Sequence, residues 1–232
     1  MSKTNINPYP ELLPEEIIRR AGLLSSANLC DGMKGLHIPM DGCMDARIHP
    51  LVPDMKFVGT AMTVETRDGD NLPIHLALYT SNPGYVMVID GADCEDYPYF
   101  GDLMMSTAKA EGFLAMVVNG FVRDYDGAVA LGLPVFAKGL MPRGPRKSDP
   151  GTINGTIICG RVTVHPGDLV LGDYDGIAVV PREQIEQVLA KAEEKVDYEK
   201  KRRAAIQDYA EALREGKELP NLMPKWVKEM LE

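Results

Sequence analysis

Two rhythms of apolar and polar positions run along the chain. From Glu15 to Leu24 the apolar residues Ile17, Ile18, Ala21 and Leu24 recur at helical spacing, which predicts an amphipathic helix. A second short helical segment follows in SSANLCDGMKG, where Ser25 or Ser26 can cap the start and Gly32 or Gly35 can end it. KFVGTAMTVET (56–66) predicts a β-strand, and NLPIHLALYTS (71–81) a helix. YVMVIDG (85–91) is a continuous apolar run stopped by Asp-Gly, the pattern of a strand buried on both faces.

GDLMMSTAKAEG (101–112) then predicts a compact helix, with Asp102 at the cap position and Gly112 as its stop. The strand AMVVNG, a short helix over 124–131 and the strand LPVFAKG complete an alternation from 85 to 139. That order predicts parallel pairing through right-handed crossovers, and so an α/β fold. Over 151–180 short β-branched segments cut by Pro-Gly, Gly-Asp and Asp-Gly predict a strand meander. From Pro181 to about Gly216 the chain predicts one long charged helix. The layout expected is one domain over 1–232, with an N-terminal helical segment (1–35) and a C-terminal helix and tail (181–232).

Composition narrows the function classes. The 232 residues are 45% hydrophobic with one Trp and 6% aromatics, enough for a sizeable aliphatic core. A net charge of −9 and a pI near 5.0 argue against non-specific nucleic-acid binding. An anionic substrate would therefore need a local basic pocket. Cys30, Cys43, Cys94 and Cys159 lie far apart, so free buried thiols are expected rather than a zinc or redox motif. No run reaches the length of a membrane span and the N-terminus has no signal-peptide core, which predicts a cytoplasmic protein.

The candidate chemistry lies in two loops. The amides of Leu103 and Met104 open a helix, at the positive end of its dipole, and Gly101 lets a ligand approach closely. Arg123-Asp124 follows the next predicted strand. In a strand–helix–strand unit both loops lie at the carboxyl edge of the sheet, where ligands bind. Arg123 can grip a carboxylate or keto oxygen, and Asp124 and Asp102 can anchor a hard divalent cation. The plainer alternatives are an N-cap for Asp102 and a structural ion pair for Arg123-Asp124. The four histidines share no ligand spacing and read as structural; RGPRK (143–147) reads as an exposed basic loop able to attract acidic substrates.

On the last helix Ile185, Leu189, Ala192, Val196, Arg203 and Ile206 mark one face, and Glu199 falls on it. Either Glu199 pairs with a basic residue at an interface, or it reaches a site on a neighbouring subunit; the pattern alone favours the ion pair.

Asp102, twenty intervening residues, then Arg123-Asp124 resembles the motif of the 4-hydroxy-4-methyl-2-oxoglutarate/4-carboxy-4-hydroxy-2-oxoadipate aldolases, class II pyruvate aldolases similar to the ribonuclease E inhibitor RraA. The resemblance spans about 15–210 and includes GDLMMSTAKAEGFLAMVVNGFVRD, LPVFAKG and VTVHPGDLVLGDYDGIAVVP. It implies a β-sandwich core with flanking helices, like a phosphohistidine swivelling domain, assembled as homotrimers or homohexamers with sites between subunits. It implies Mg²⁺ or Mn²⁺ on Asp124, pyruvate held by Arg123 with the amides of Leu103 and Met104, and a water on the metal ordered by Asp102. It further implies that Glu199 reaches in from the adjacent protomer.

The implied reaction cleaves a 4-hydroxy-2-oxo acid to pyruvate and a second 2-oxo acid, with oxaloacetate decarboxylation as a side activity. The competing reading is a non-catalytic RraA-like regulator that binds a ribonuclease. A methyltransferase reading finds no glycine-rich loop to support it.

Overall fold

The computed structural model describes residues 4–231. A two-residue strand β1 (Asn5–Ile6) precedes the helices α1 (Glu15–Gly22) and α2 (Ser26–Met33). After β2 (His49–Pro50) come β3 (Phe57–Glu65), α3 (Leu72–Thr80), β4 (Tyr85–Asp90), α4 (Asp102–Ala110) and β5 (Ala115–Val118). Then follow β6 (Phe121–Val122), α5 (Tyr125–Leu131), β7 (Val135–Ala137) and β8 (Gly139–Leu140). The meander is β9 (Thr152–Ile153), β10 (Ile157–Cys159), β11 (Val162–Val164), β12 (Leu169–Asp173) and β13 (Gly176–Val180), and the chain closes with α6 (Ile185–Glu215) and α7 (Lys225–Leu231).

Strands β3, β4, β5 and β7 pair in parallel, as the strand–helix alternation predicts. The full order is β1-β9-β3-β4-β5-β7-β2, and β12 branches off the same β3, antiparallel, with β13 beside it. Side-chain alternation sorts the core into layers. On one face Met62, Val64, Met87, Ile89, Met116 and Val118 pack with α3, α4 and α5 through Ile74, Leu78, Met105 and Ala128. On the other face Ala61, Val86, Val88, Val117 and Phe136 meet Val170, Ile177 and Val179 of the β12–β13 hairpin and Val162 and Val164 of β11. The outward residues of that hairpin, Leu169, Leu171, Ala178 and Val180, pack under α1, α2 and α6. The result is helix, sheet, sheet, helix: a β-sandwich core with flanking helices and a long C-terminal helix.

Local sequence accounts for the ends. Ser25 caps α2 in a reciprocal box with Asn28, and Asp173 accepts from the amide and hydroxyl of Ser26 at 2.8 and 2.6 Å. Gly32 lies where α2 crosses α6; a Cβ there would come 2.6 Å from the carbonyl of Val188. Arg20 ties α1 to α6 through Glu186 (2.6 Å) and Glu193 (2.8 Å).

Three expectations need correction. Gly101, not Asp102, is the N-cap of α4; Asp102 is the first helical residue and its side chain makes no cap bond. The packed stripe of α6 runs only through Ile185, Leu189 and Ala192 to a half-buried Val196, because the body ends there, and Ile206 is 46% exposed. The four cysteines are free, but only Cys159 is buried; Cys30 and Cys94 are half-buried and Cys43 is exposed. Among the described residues no helix is long and apolar enough to cross a membrane.

Candidate functional site

Two loops at the carboxyl edge of the parallel strands build the site. The segment leaving β4 runs through Tyr99 and Phe100 into α4, and the segment leaving β5 runs through β6 to Arg123 and Asp124. Backbone bonds zip them together: the Tyr99 amide donates to the Phe121 carbonyl (2.8 Å) and the Arg123 amide to the Phe100 carbonyl (3.0 Å). Gly120 and Gly91 leave room for the Tyr99 ring between the loops. This pairing brings Gly101 against Arg123 and Asp124.

The contact is so close that a side chain at position 101 would have to displace the Asp124 carboxylate. A Cβ on Gly101 would lie 2.1 Å from Asp124 Oδ2 and 2.9 Å from Arg123 Cγ. Asp124 itself has φ 62° and ψ 52°, left-handed backbone that a non-glycine residue adopts at a cost. Its Oδ2 stands 3.4 Å from the Asp102 amide, so the carboxylate facing the first amide of α4 comes from another loop. The Met104 amide is turned onto the Gly101 carbonyl at 3.1 Å and is thus partnered rather than free.

Arg123 Nε lies 3.4 Å from Asp124 Oδ2, within ion-pairing range. The N–H is not aimed at that oxygen, however, and among the described residues this buried donor has no acceptor. An unpartnered buried donor is costly and marks a place for an acceptor from outside the chain. A hard divalent cation fits the same corner, since Mg²⁺ takes one or two carboxylates and completes its shell from substrate and water. Among the described residues no group of three or more His, Cys, Asp or Glu side chains could cage a metal.

Gly101, Asp102, Leu103, Met104, Arg123 and Asp124 line one pocket of about 260 Å³. Its far wall is Asn71 and His75 at the start of α3, with Gly144, Pro145 and Lys147. None of these five was singled out from sequence as a site residue. The basic run 143–147 was the available signal for Lys147; His75 and Asn71 gave none. Burial pushes the His75 imidazole below its ordinary value, and the Lys147 charge pushes the same way. A larger hollow of about 740 Å³ lies beside α1 at the opposite edge of the strands, lined by Leu12, Leu13, Ile18 and Leu114. It is lined by none of Gly101, Asp102, Leu103, Met104, Arg123 and Asp124, so size alone does not identify the site.

Glu199 is not in this pocket within the chain. Its carboxylate faces Arg203 one turn along α6 at 3.5 Å.

Comparison with known proteins agrees with this architecture. A family model described as RraA-like, Aldolase/RraA, matches residues 26–179. A protein of Halalkalibacterium halodurans provisionally named 4-hydroxy-4-methyl-2-oxoglutarate aldolase is 40% identical over 172 residues, 74% of this chain and 81% of that one. An uncharacterised protein of Methanocaldococcus jannaschii is 32% identical over 185 residues, 78% and 85% of the two chains. Among solved structures, RraAS2 of Streptomyces coelicolor, described as an unusual member of the RNase ES inhibitor RraA protein family, superposes with a TM-score of 0.73 at 25% identity. That superposition covers 82% of this chain and 98% of that one. The α/β sandwich, the two zipped loops and these matches lead to one assignment: the chain belongs to the RraA-like aldolase/RraA family.

Proposed function

We propose that the protein is a divalent-metal-dependent aldolase that cleaves 4-hydroxy-2-oxo di- or tricarboxylic acids to pyruvate and a second 2-oxo acid. The observation that carries this reading is the corner where Asp124 Oδ2 stands 3.4 Å from the first amide of α4 beside the unpartnered Nε of Arg123. The provisional name of the Halalkalibacterium relative supports the substrate class.

Asp124 would hold Mg²⁺ or Mn²⁺, assisted by Asp102. When bound, the ion supplies positive charge against the keto oxygen on which negative charge develops. Arg123 donates to the same oxygen or to the adjacent carboxylate, and Gly101 with the amide of Leu103 lets that end of the substrate sit against the helix. The C4 hydroxyl loses its proton to a general base, the C3–C4 bond breaks, and the electron pair forms an enolate at C3. Asp102 orders the water that returns a proton to C3, leaving pyruvate. Oxaloacetate passes through the same enolate when it loses carbon dioxide. We further propose an assembly of homotrimers or homohexamers, with Glu199 of a neighbouring copy completing the pocket; Glu199 and Asp102 are both among the candidate bases.

The test is pyruvate release from oxaloacetate and from 4-hydroxy-4-methyl-2-oxoglutarate, with Mg²⁺ or Mn²⁺ and with a chelator. Turnover is expected only with the ion, and Asp124→Ala should lower it by about 10²-fold or more. Turnover that a chelator leaves untouched would overturn the metal-dependent reading. The likeness to RraAS2 favours a second reading, a non-catalytic regulator of a ribonuclease. Inhibition of a ribonuclease by this protein, with no turnover under any divalent ion, would decide for it.

A further inference from the structure

The wall at Gly144–Lys147 belongs to no helix or strand, since the chain between β8 and β9 is irregular. What holds it is a carboxylate. Asp70 is 1% exposed. Its Oδ2 accepts from the Ser148 amide (2.6 Å), the Ser148 hydroxyl (3.0 Å) and the Asp149 amide (2.8 Å). Its Oδ1 accepts from the Leu72 amide (2.9 Å), at the first turn of α3. Backbone bonds reinforce the junction: the Asn71 amide donates to the Arg146 carbonyl (2.9 Å) and the Arg146 amide to the Gly69 carbonyl (2.8 Å).

Asp70 thus bonds on one side to the helix that carries His75, and on the other to the segment that carries Lys147. Among the described residues it pairs with no cation, so a buried charge is met by neutral donors alone. Such donors must be present in number and well aimed to hold a desolvated carboxylate. Burial raises its proton affinity, but the amides of Leu72, Asp149 and Ser148 outweigh that, and the group stays below the ordinary carboxylate range. A second anchor, for 143–146, is Tyr97, whose ring lies under the guanidinium groups of Arg143 (5.0 Å) and Arg146 (4.6 Å). These contacts are at the surface; in the Asp70 cluster the carboxylate is buried, while Ser148 is exposed and Asp149 half-buried.

We infer that Asp70 is a positioning residue for the pocket: its carboxylate latches the 144–149 segment, and Lys147 with it, against the start of α3. The consequence for substrate affinity rests on the aldolase reading; the latch itself does not.

The test uses the full chain with Asp70→Asn, which keeps the shape but turns an amide N–H₂ toward donors. Trypsin should cut after Arg143, Arg146 or Lys147 about tenfold faster than in the native protein, because local opening exposes that segment first. With oxaloacetate as probe, KM should rise about tenfold while kcat changes by less than about threefold, the signature of lost ground-state positioning. Ser148→Ala, which removes one donor, should move both quantities the same way by a smaller factor. Native cleavage and native KM in a folded Asp70→Asn protein would overturn the latch. If Asp70→Asn does not fold, the same null result in Ser148→Ala overturns it. Absence of turnover in the native protein would defeat the aldolase reading alone, and the cleavage rates would still decide the latch.

Discussion

Asp124 is the residue on which the proposed site turns, and its backbone is left-handed. Its close neighbour is Gly101, where a Cβ would strike Asp124 Oδ2. Gly101→Ala should therefore leave the thermal midpoint almost unchanged while displacing the carboxylate, and turnover should fall about 10²-fold, as misplacement by about 1 Å commonly does. Paired melting and rate measurements check it, and an active Gly101→Ala protein would show that the contact is dispensable. His75 gives a second handle. Its imidazole is held below the ordinary histidine value by burial and by Lys147, so the neutral form is favoured in the folded state. A group lowered in this way contributes stability above its unfolded value and loses it as pH falls. Lys147→Gln should raise the His75 midpoint, read by NMR titration of the ring protons. At this scale the sequence told only part of the story. Arg123 and Asp124 stood out because they follow a buried strand, whereas His75 and Asn71 face a wall, 144–147, that is bonded through Ser148 and Asp149 to Asp70 from nearly eighty positions away, which no local spacing records.

Helices and central strands were readable from periodicity, because each buries a face whose repeat matches its own geometry. The run over 85–91 is strand β4, fully flanked, and 101–112 contains α4. What periodicity could not supply was the folding of the β12–β13 hairpin back across the parallel strands, since strands of three to five residues carry too little pattern to choose a partner. The β-sandwich was expected from the family resemblance instead. The cap of α4 was misplaced by one residue, because the carboxylate nearest its first amide comes from Asp124 and not from the helix's own sequence. Two substitutions probe the elements. Ser25→Ala breaks the reciprocal box at α2 and should cost about 1 kcal/mol in denaturant unfolding. Gly32→Leu forces a side chain against Val188 at the α2–α6 crossing and should cost about 1–3 kcal/mol or more. A neutral result there would mean that the two helices can separate freely.

At the scale of the molecule, α6 has two characters. Up to Ala192 it is part of the core, and from Asp197 onward no residue of it is buried. Ile206 and Leu213 stand 46% and 60% exposed on that distal half. If copies assemble through it, as proposed above, Ile206→Glu with Leu213→Glu should lower the mass seen in sedimentation toward the 25.5 kDa of one chain. An unchanged mass would place the contact elsewhere.

The strand β3 unites both layers, bonded to β4 along one edge and to β12 and β9 along the other. Neither half can peel away without stripping hydrogen bonds from this one segment. Amide deuteration should then be slowest in the middle of β3, and the parallel strands and the meander should lose their protons together, as a keystone leaves no part of an arch standing when it is drawn.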